Sequence, residues 1–334
     1  MAKQWTAEEV FRLGSEYQRA CVLAAAADLD VFTVLGDASV TAAEAATKLS
    51  TDPRGTTVLL DALAAMDLME KKGDVYRVPP EVADVLAADG AHSVLAMARH
   101  QSTCLRRWAQ LATVVKTGEP AEHLPSVFSN DDTLAAFIGG MHNVSVPMAD
   151  SLVAGLQPLE FRHLLDVGGA SGTWTIAFLE AAPEARATLF DRPKVIPMAE
   201  RRLTDAGMLD HVTLVGGDFY TDPLPTGADL AWLGAIVHQN SREQNRALFA
   251  KVLAALEPGG RILVRDIVME AGRTRPVGGA LFAVNMLVGT HGGGTFTFDE
   301  LSEDLLSAGF ESPELVRQGT WMDSLVAATK PVGR

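Results

Sequence analysis

Leu164-Leu165-Asp166-Val167-Gly168-Gly169-Ala170-Ser171-Gly172-Thr173-Trp174 is the stretch that decides the fold. It reads as a buried strand that breaks into a glycine turn and opens a helix. Glycines at 168, 169 and 172 remove side chains where the backbone turns sharply and approaches a ligand. From here the chain alternates strand, turn and helix. Strands are expected at 163–167, 186–190, 212–215, 229–233 and 261–267. Helices are expected at 172–181, 194–206, 241–256 and 298–309. That rhythm predicts a doubly wound, mostly parallel α/β sheet, whose ligands lie at the carboxyl ends of the strands.

The totals bound the function. The 334 residues suffice for two domains, and 48% hydrophobic with 21% charged residues is a globular balance. With 28 Lys plus Arg against 42 Asp plus Glu, the formal charge is −14. Such an acidic chain is poorly suited to nucleic acid or to an anionic membrane. Cys21 and Cys104 alone form neither a disulfide framework nor a cysteine zinc site. The first residues carry no apolar signal core, and no apolar run reaches membrane-span length. The expectation is a cytoplasmic protein with no nucleic-acid or membrane partner.

Before the sheet the chain reads as helical. Residues 6–35 hold Phe11, Tyr17, Cys21, Val22 and many alanines. Thr41 and Glu44 make a capping-box pattern for a helix over 40–50, and Asp52-Pro53 starts another. Leu68 to Val78, with Gly73-Asp74 at its tip, reads as a hairpin. Helices followed by a hairpin make a winged-helix arrangement, but few basic residues are present for phosphates, so dimerisation is favoured over DNA binding. Residues 81–157 read as further helices. The expected division is 1–100 for dimerisation, 101–160 for a helical connector contributing to the acceptor pocket, and 161–334 for the nucleotide-binding domain.

Thr173 stands where a dinucleotide loop would place its last glycine, which argues against a pyrophosphate. The carboxylates say more. Asp191 ends the second strand, where it can accept from both hydroxyls of a ribose. Asp218 ends the third, where it can accept from an adenine amino group with Phe219 against the ring. Glu257-Pro258-Gly259-Gly260 turns into a later strand. Glycine loop, two acids and this late turn, in order, resemble class I S-adenosylmethionine-dependent methyltransferases. Over nearly the whole chain the sequence resembles the small-molecule O-methyltransferases of the caffeate, acetylserotonin and bacterial tailoring type, which carry a winged-helix dimerisation domain before a Rossmann-like methyltransferase domain. The resemblance implies a homodimer binding S-adenosylmethionine through Asp166, Gly168, Gly169, Gly172, Asp191, Arg192, Asp218 and Phe219. A lysine frequent on the family's fourth strand corresponds to Gly234 here.

Methyl transfer requires alignment and deprotonation of the acceptor. A phenol, with pKa about 10, is a poor nucleophile until it loses its proton, and a neutral histidine is a suitable base near neutral pH. His238 follows the fourth strand and resembles the family's catalytic histidine, although Gln239-Asn240 replace the usual Asp-Trp after it. By position Asp266 orients it, while the family's second acid would fall near Thr295 and is absent. The other histidines singled out, His92, His100, His123, His163 and His211, lack such a setting. Resemblance to the family's pocket places Phe137, Met141, Val144, Trp232 and Met286 against a small-molecule acceptor, with His291 also on that side. Two alternatives stay open. His238, Asp266 and His291 could form a facial triad for a divalent metal that stabilises an α-keto acid enolate for C-methylation. The chain could also be a cofactor-binding relative that does not methylate.

Overall fold

A computed structural model describes residues 3–124 and 130–333. The chain divides into two compact units. One comprises the residues up to Arg106 with His123–Asn143, and the other Arg107–Glu122 with Val144 onward. The segment 101–160, expected as a connector, is thus shared between the two.

The first unit is mainly helical. The helical run expected over 6–35 is three helices, Ala7–Ser15, Tyr17–Asp28 and Val31–Leu35, the last set apart because Asp30 takes a left-handed conformation (φ 55°) that breaks the ladder. Thr41 caps Ala42–Leu49 as the pattern predicts: its hydroxyl accepts from Glu44 N, and Glu44 accepts from Thr41 N at 2.7 Å. Asp52 caps Pro53–Ala65, accepting from Gly55 N at 2.7 Å. Strands Glu70–Lys72 and Val75–Arg77 form the expected hairpin, and Val40–Thr41 adds a third antiparallel strand. Phe32, Leu60, Leu63 and Tyr76 fill its core.

The second unit is built on a seven-stranded sheet. Its strands are β1 (His163–Val167), β2 (Arg186–Asp191), β3 (Val212–Gly216), β4 (Ala228–Gly234), β5 (Leu256–Asp266), β6 (Glu311–Arg317) and β7 (Ser324–Thr329), in the spatial order β6-β7-β5-β4-β1-β2-β3. The first five run parallel, and β7 pairs antiparallel with both β5 and β6. The crossover helices are α1 (Thr173–Ala181), α2 (Ile196–Asp205) and α3 (Arg242–Ala255), with α4 (Val277–Gly289) and α5 (Phe298–Ala308) later. The central strands carry apolar residues on both faces because helices cover each side of the sheet. Glu257-Pro258-Gly259-Gly260, expected as a turn, lies inside β5. Gly259 (φ 79°) and a register shift opposite Ala228–Leu230 absorb the irregularity. No helix among the described residues is long and apolar enough to cross a membrane.

Candidate active site

Parallel order puts the carboxyl ends of β1 to β5 on one edge, where Gly168, Asp191, Asp218, His238 and Asp266 end or follow their strands. After β1 the chain folds back on β2: Gly168 N donates to Phe190 O at 2.8 Å. Gly168 has φ 72°, and a Cβ there would meet Ile236 Cδ1 at 2.5 Å. Ala170 also sits at positive φ, 49°, and its N–H donates to Asp191 Oδ2 at 2.8 Å. Arg192 N donates to the other Asp191 oxygen at 2.7 Å, while the Arg192 side chain is exposed. Burial raises the Asp191 pKa above the usual carboxylate value despite both donors.

Asp166 lies beneath this loop. Its carboxyl is 1% exposed and accepts from Thr175 Oγ1 at 2.6 Å, tying β1 to α1. Burial pushes its pKa up to about 7. At the neighbouring strand end, Gly217 N donates to Asp191 O at 2.9 Å and brings the Asp218 segment alongside. Asp218 is exposed and accepts from Tyr220 N at 2.9 Å. The Phe219 and Tyr220 rings are 4.6 Å apart, and Phe219 Cε1 is 3.9 Å from where a Gly168 Cβ would stand. Lys251 on α3 donates to the carbonyls of Phe219, Tyr220 and Asp222 at 2.8 to 2.9 Å. A narrow floor with a carboxylate at each end and an aromatic ring beside it suits a nucleoside.

His238 stands in a 3-10 turn after β4, and Asp266 ends β5. Asp266, 1% exposed, contacts His238 Nδ1 through both oxygens at 3.0 and 2.9 Å, and accepts Ile267 N at 2.8 Å. A carboxylate on Nδ1 fixes the tautomer with the proton there and leaves Nε2 as the basic atom. The Phe282 ring from α4 meets the imidazole edge-on, 4.9 Å between centroids. The sequence reading missed Phe282, although it lies one helical turn before Met286, which is itself 8% exposed. Thr295 contributes a backbone carbonyl to Arg273 at 2.9 Å and no acid.

Several expected contacts change. Trp232 is fully buried, packed on Trp174 and Phe178 at 4.8 and 5.0 Å, so it is a core residue and not a wall of an accessible pocket. Its indole also explains Gly234, where a Cβ would lie 2.6 Å from Trp232 Nε1 and no lysine could stand. The metal triad is not formed. The His291 side chain is 86% exposed and its nearest acid is Glu119 at 3.9 Å. No group of three or more His, Cys, Asp or Glu side chains that could hold a metal occurs among the described residues. The glycines after His291 serve packing: Gly294 N donates to His238 O at 2.8 Å, and a Cβ on Gly293 would lie 2.5 Å from that oxygen. Val144 is half-buried in this unit, while Phe137 and Met141 belong to the first.

Comparison with known proteins agrees with this architecture. Residues 108–311 match the model of the O-methyltransferase domain, and residues 12–89 that of the O-methyltransferase dimerisation domain. The chain is 32% identical over 310 residues to the tetracenomycin polyketide synthesis 8-O-methyl transferase TcmO of Streptomyces glaucescens, covering 90% of this chain and 91% of that one. It is 30% identical to the 3-hydroxy-5-methyl-1-naphthoate 3-O-methyltransferase of Streptomyces sahachiroi over 88% of this chain and 87% of that one. Among solved structures, PigF with SAH superposes with a TM-score of 0.85 at 25% identity, covering 97% and 99% of the two chains. The chain belongs to the O-methyltransferase family and is an S-adenosylmethionine-dependent small-molecule O-methyltransferase with a dimerisation domain.

Proposed function

We propose that the chain methylates a phenolic hydroxyl on a fused-ring aromatic acceptor, with His238 as general base. One observation carries this reading: Asp266 engages Nδ1 of His238 and leaves Nε2 as the basic atom. The ring is 12% exposed at its side chain, enough to meet a hydroxyl while most water is kept away. The acceptor class follows the names of TcmO and the naphthoate enzyme, and the Phe282 edge beside His238 offers an aromatic neighbour of the right kind. Met286 is proposed as a further acceptor contact.

The residues at the β1 to β3 ends fit S-adenosylmethionine. Gly168, at positive φ and closely covered by Ile236, lets the loop turn without a side chain, and Asp191 keeps acceptor capacity beyond its two backbone donors. We assign the ribose hydroxyls to Asp191 and the adenine amino group to Asp218, with Phe219 on the ring and the glycine loop, 168 to 172, beneath. Arg192 contributes its backbone, and Asp166 supports the loop from below. When bound, the cofactor supplies a methyl group on a good leaving group. His238 then orients the acceptor hydroxyl and takes its proton on Nε2, and Asp266 holds the ring and balances the imidazolium charge.

We further assign the first unit a winged-helix dimerisation role, the location to the cytoplasm and the pathway class to secondary metabolism. The acidic charge of −14 supports a partner set without nucleic acid or membrane.

The test is methyl transfer to hydroxylated naphthoates and anthraquinones by wild type and His238→Ala. The variant should lose about 100- to 10,000-fold in kcat and still bind S-adenosylhomocysteine in calorimetry. Full activity in His238→Ala would overturn the base assignment. Transfer to nitrogen or carbon but to no phenol would overturn the acceptor class.

A further inference from the structure

Two buried amides join the halves of the site. Asn240 and Asn245 are both fully buried. The Tyr220 hydroxyl donates to Asn240 Oδ1. Asn240 Nδ2 donates to Asn245 Oδ1 at 3.0 Å, and Asn245 Nδ2 donates to Val237 O at 3.0 Å. Val237 immediately precedes His238. Buried amides are costly unless paired, and asparagine is a poor choice inside a helix such as α3. Here each bond points the same way, from the phenol toward the base-bearing turn, so the members polarise one another.

Both ends of the chain of bonds are anchored. At one end Lys251 grips the carbonyls of Phe219, Tyr220 and Asp222, and Asp218 accepts from Tyr220 N. At the other, Asp266 accepts His238 N at 3.3 Å and Gly294 N grips His238 O. The side chains of Tyr220, Asn240 and Asn245 thus join the 218–222 loop to the residue before His238.

We propose that Tyr220, Asn240 and Asn245 are positioning residues that couple occupancy of the Asp218–Asp222 loop to the placement of His238. The inference rests on His238 being the base and on that loop contacting the cofactor. Its consequence is that the enzyme aligns its base best when the nucleoside is seated.

Tyr220→Phe deletes one hydroxyl and leaves the ring stack in place. At saturating S-adenosylmethionine it should lower kcat about 5- to 30-fold, with acceptor KM close to wild type and a melting temperature lower by only a few degrees for the buried Asn240 Oδ1 left without its donor. Asn240→Asp keeps the acceptor for Tyr220 but loses the donor to Asn245. It should bind S-adenosylhomocysteine as wild type does and still lose kcat. Tyr220→Phe combined with Asn245→Ala should cost little more than the worse single change, because the bonds act as one unit. Should Asn245→Ala not fold, Tyr220→Phe alone decides. A kcat within about twofold of wild type in folded Tyr220→Phe would overturn the coupling, as would losses that simply add. His238→Ala, assayed beside them, separates the two ideas: if it is inactive while Tyr220→Phe is fully active, only the coupling falls. If His238→Ala keeps full activity, the base assignment falls first.

Discussion

A methyl group added at Gly168 would press on Ile236 at 2.5 Å in a backbone conformation that side chains rarely adopt. Gly168→Ala should therefore weaken S-adenosylhomocysteine binding by at least about tenfold, read by calorimetry, and an unchanged affinity would show that the loop can shift. Asp166 gives a prediction of a different kind. Burial holds its pKa at about 7, against about 3.9 in the unfolded chain. Between those values the folded state binds more protons, so this group's stabilising contribution is full below the lower value and is lost as pH rises through the upper one. Asp166→Asn keeps a partner for Thr175 without the charge. It should gain stability relative to wild type at about pH 8 and not at about pH 4, measured by urea unfolding. Equal differences at both pH values would mean that Asp166 is ionised throughout.

The helix α3 begins directly behind the turn that carries His238, and Ser241 caps it by accepting from Gln244 N at 3.2 Å, while Gln244 accepts from Ser241 N at 2.9 Å. Ser241→Ala should cost about 1 kcal/mol and lower the melting temperature by about 2–4 °C. A loss of activity beyond the loss of folded enzyme would show that the cap also sets the turn. Elements of this kind were legible in the sequence because their signals are local. Leu164, Leu165 and Val167 are apolar on both sides of the strand since both sheet faces are covered, and the capping pairs at Thr41 and Asp52 sit within three residues of their partners. The nearness of His238 and Asp266 was legible because one follows a strand and the other ends the next, and parallel strands deliver their carboxyl ends to one edge. Trp232 was misread because an aromatic near a strand end looks the same whether it faces core or cavity. It alternates with Leu230, which shares its face of the sheet and its buried cluster. His291 was misread because adjacency to three glycines says where the backbone bends, not where a ring points. Asn240 and Asn245 were invisible as a pair, since no periodicity marks two amides that meet only when a helix start folds over a turn.

At the scale of the whole molecule the N-terminal helix is the unpaid element. Ala7–Ser15 carries apolar residues yet buries none of them: Phe11 is 78% exposed, Leu13 54%, and Tyr17 just beyond it 60%. Large apolar side chains left exposed on one short helix mark an interaction site, and the match to a dimerisation domain begins within this helix, at residue 12. In a symmetric dimer each substitution occurs twice, so a charge placed on this face is felt on both sides of the contact. Phe11→Glu with Tyr17→Glu should therefore shift the protein toward monomer in sedimentation velocity at low micromolar concentration, and should make its melting temperature less dependent on protein concentration than that of wild type. The substitutions remove no contact buried within the chain, so circular dichroism should stay that of the folded protein. A variant that sediments as the wild-type dimer would place the interface elsewhere on the first unit. A monomeric wild type would separate this chain from the assembly that its dimerisation domain implies.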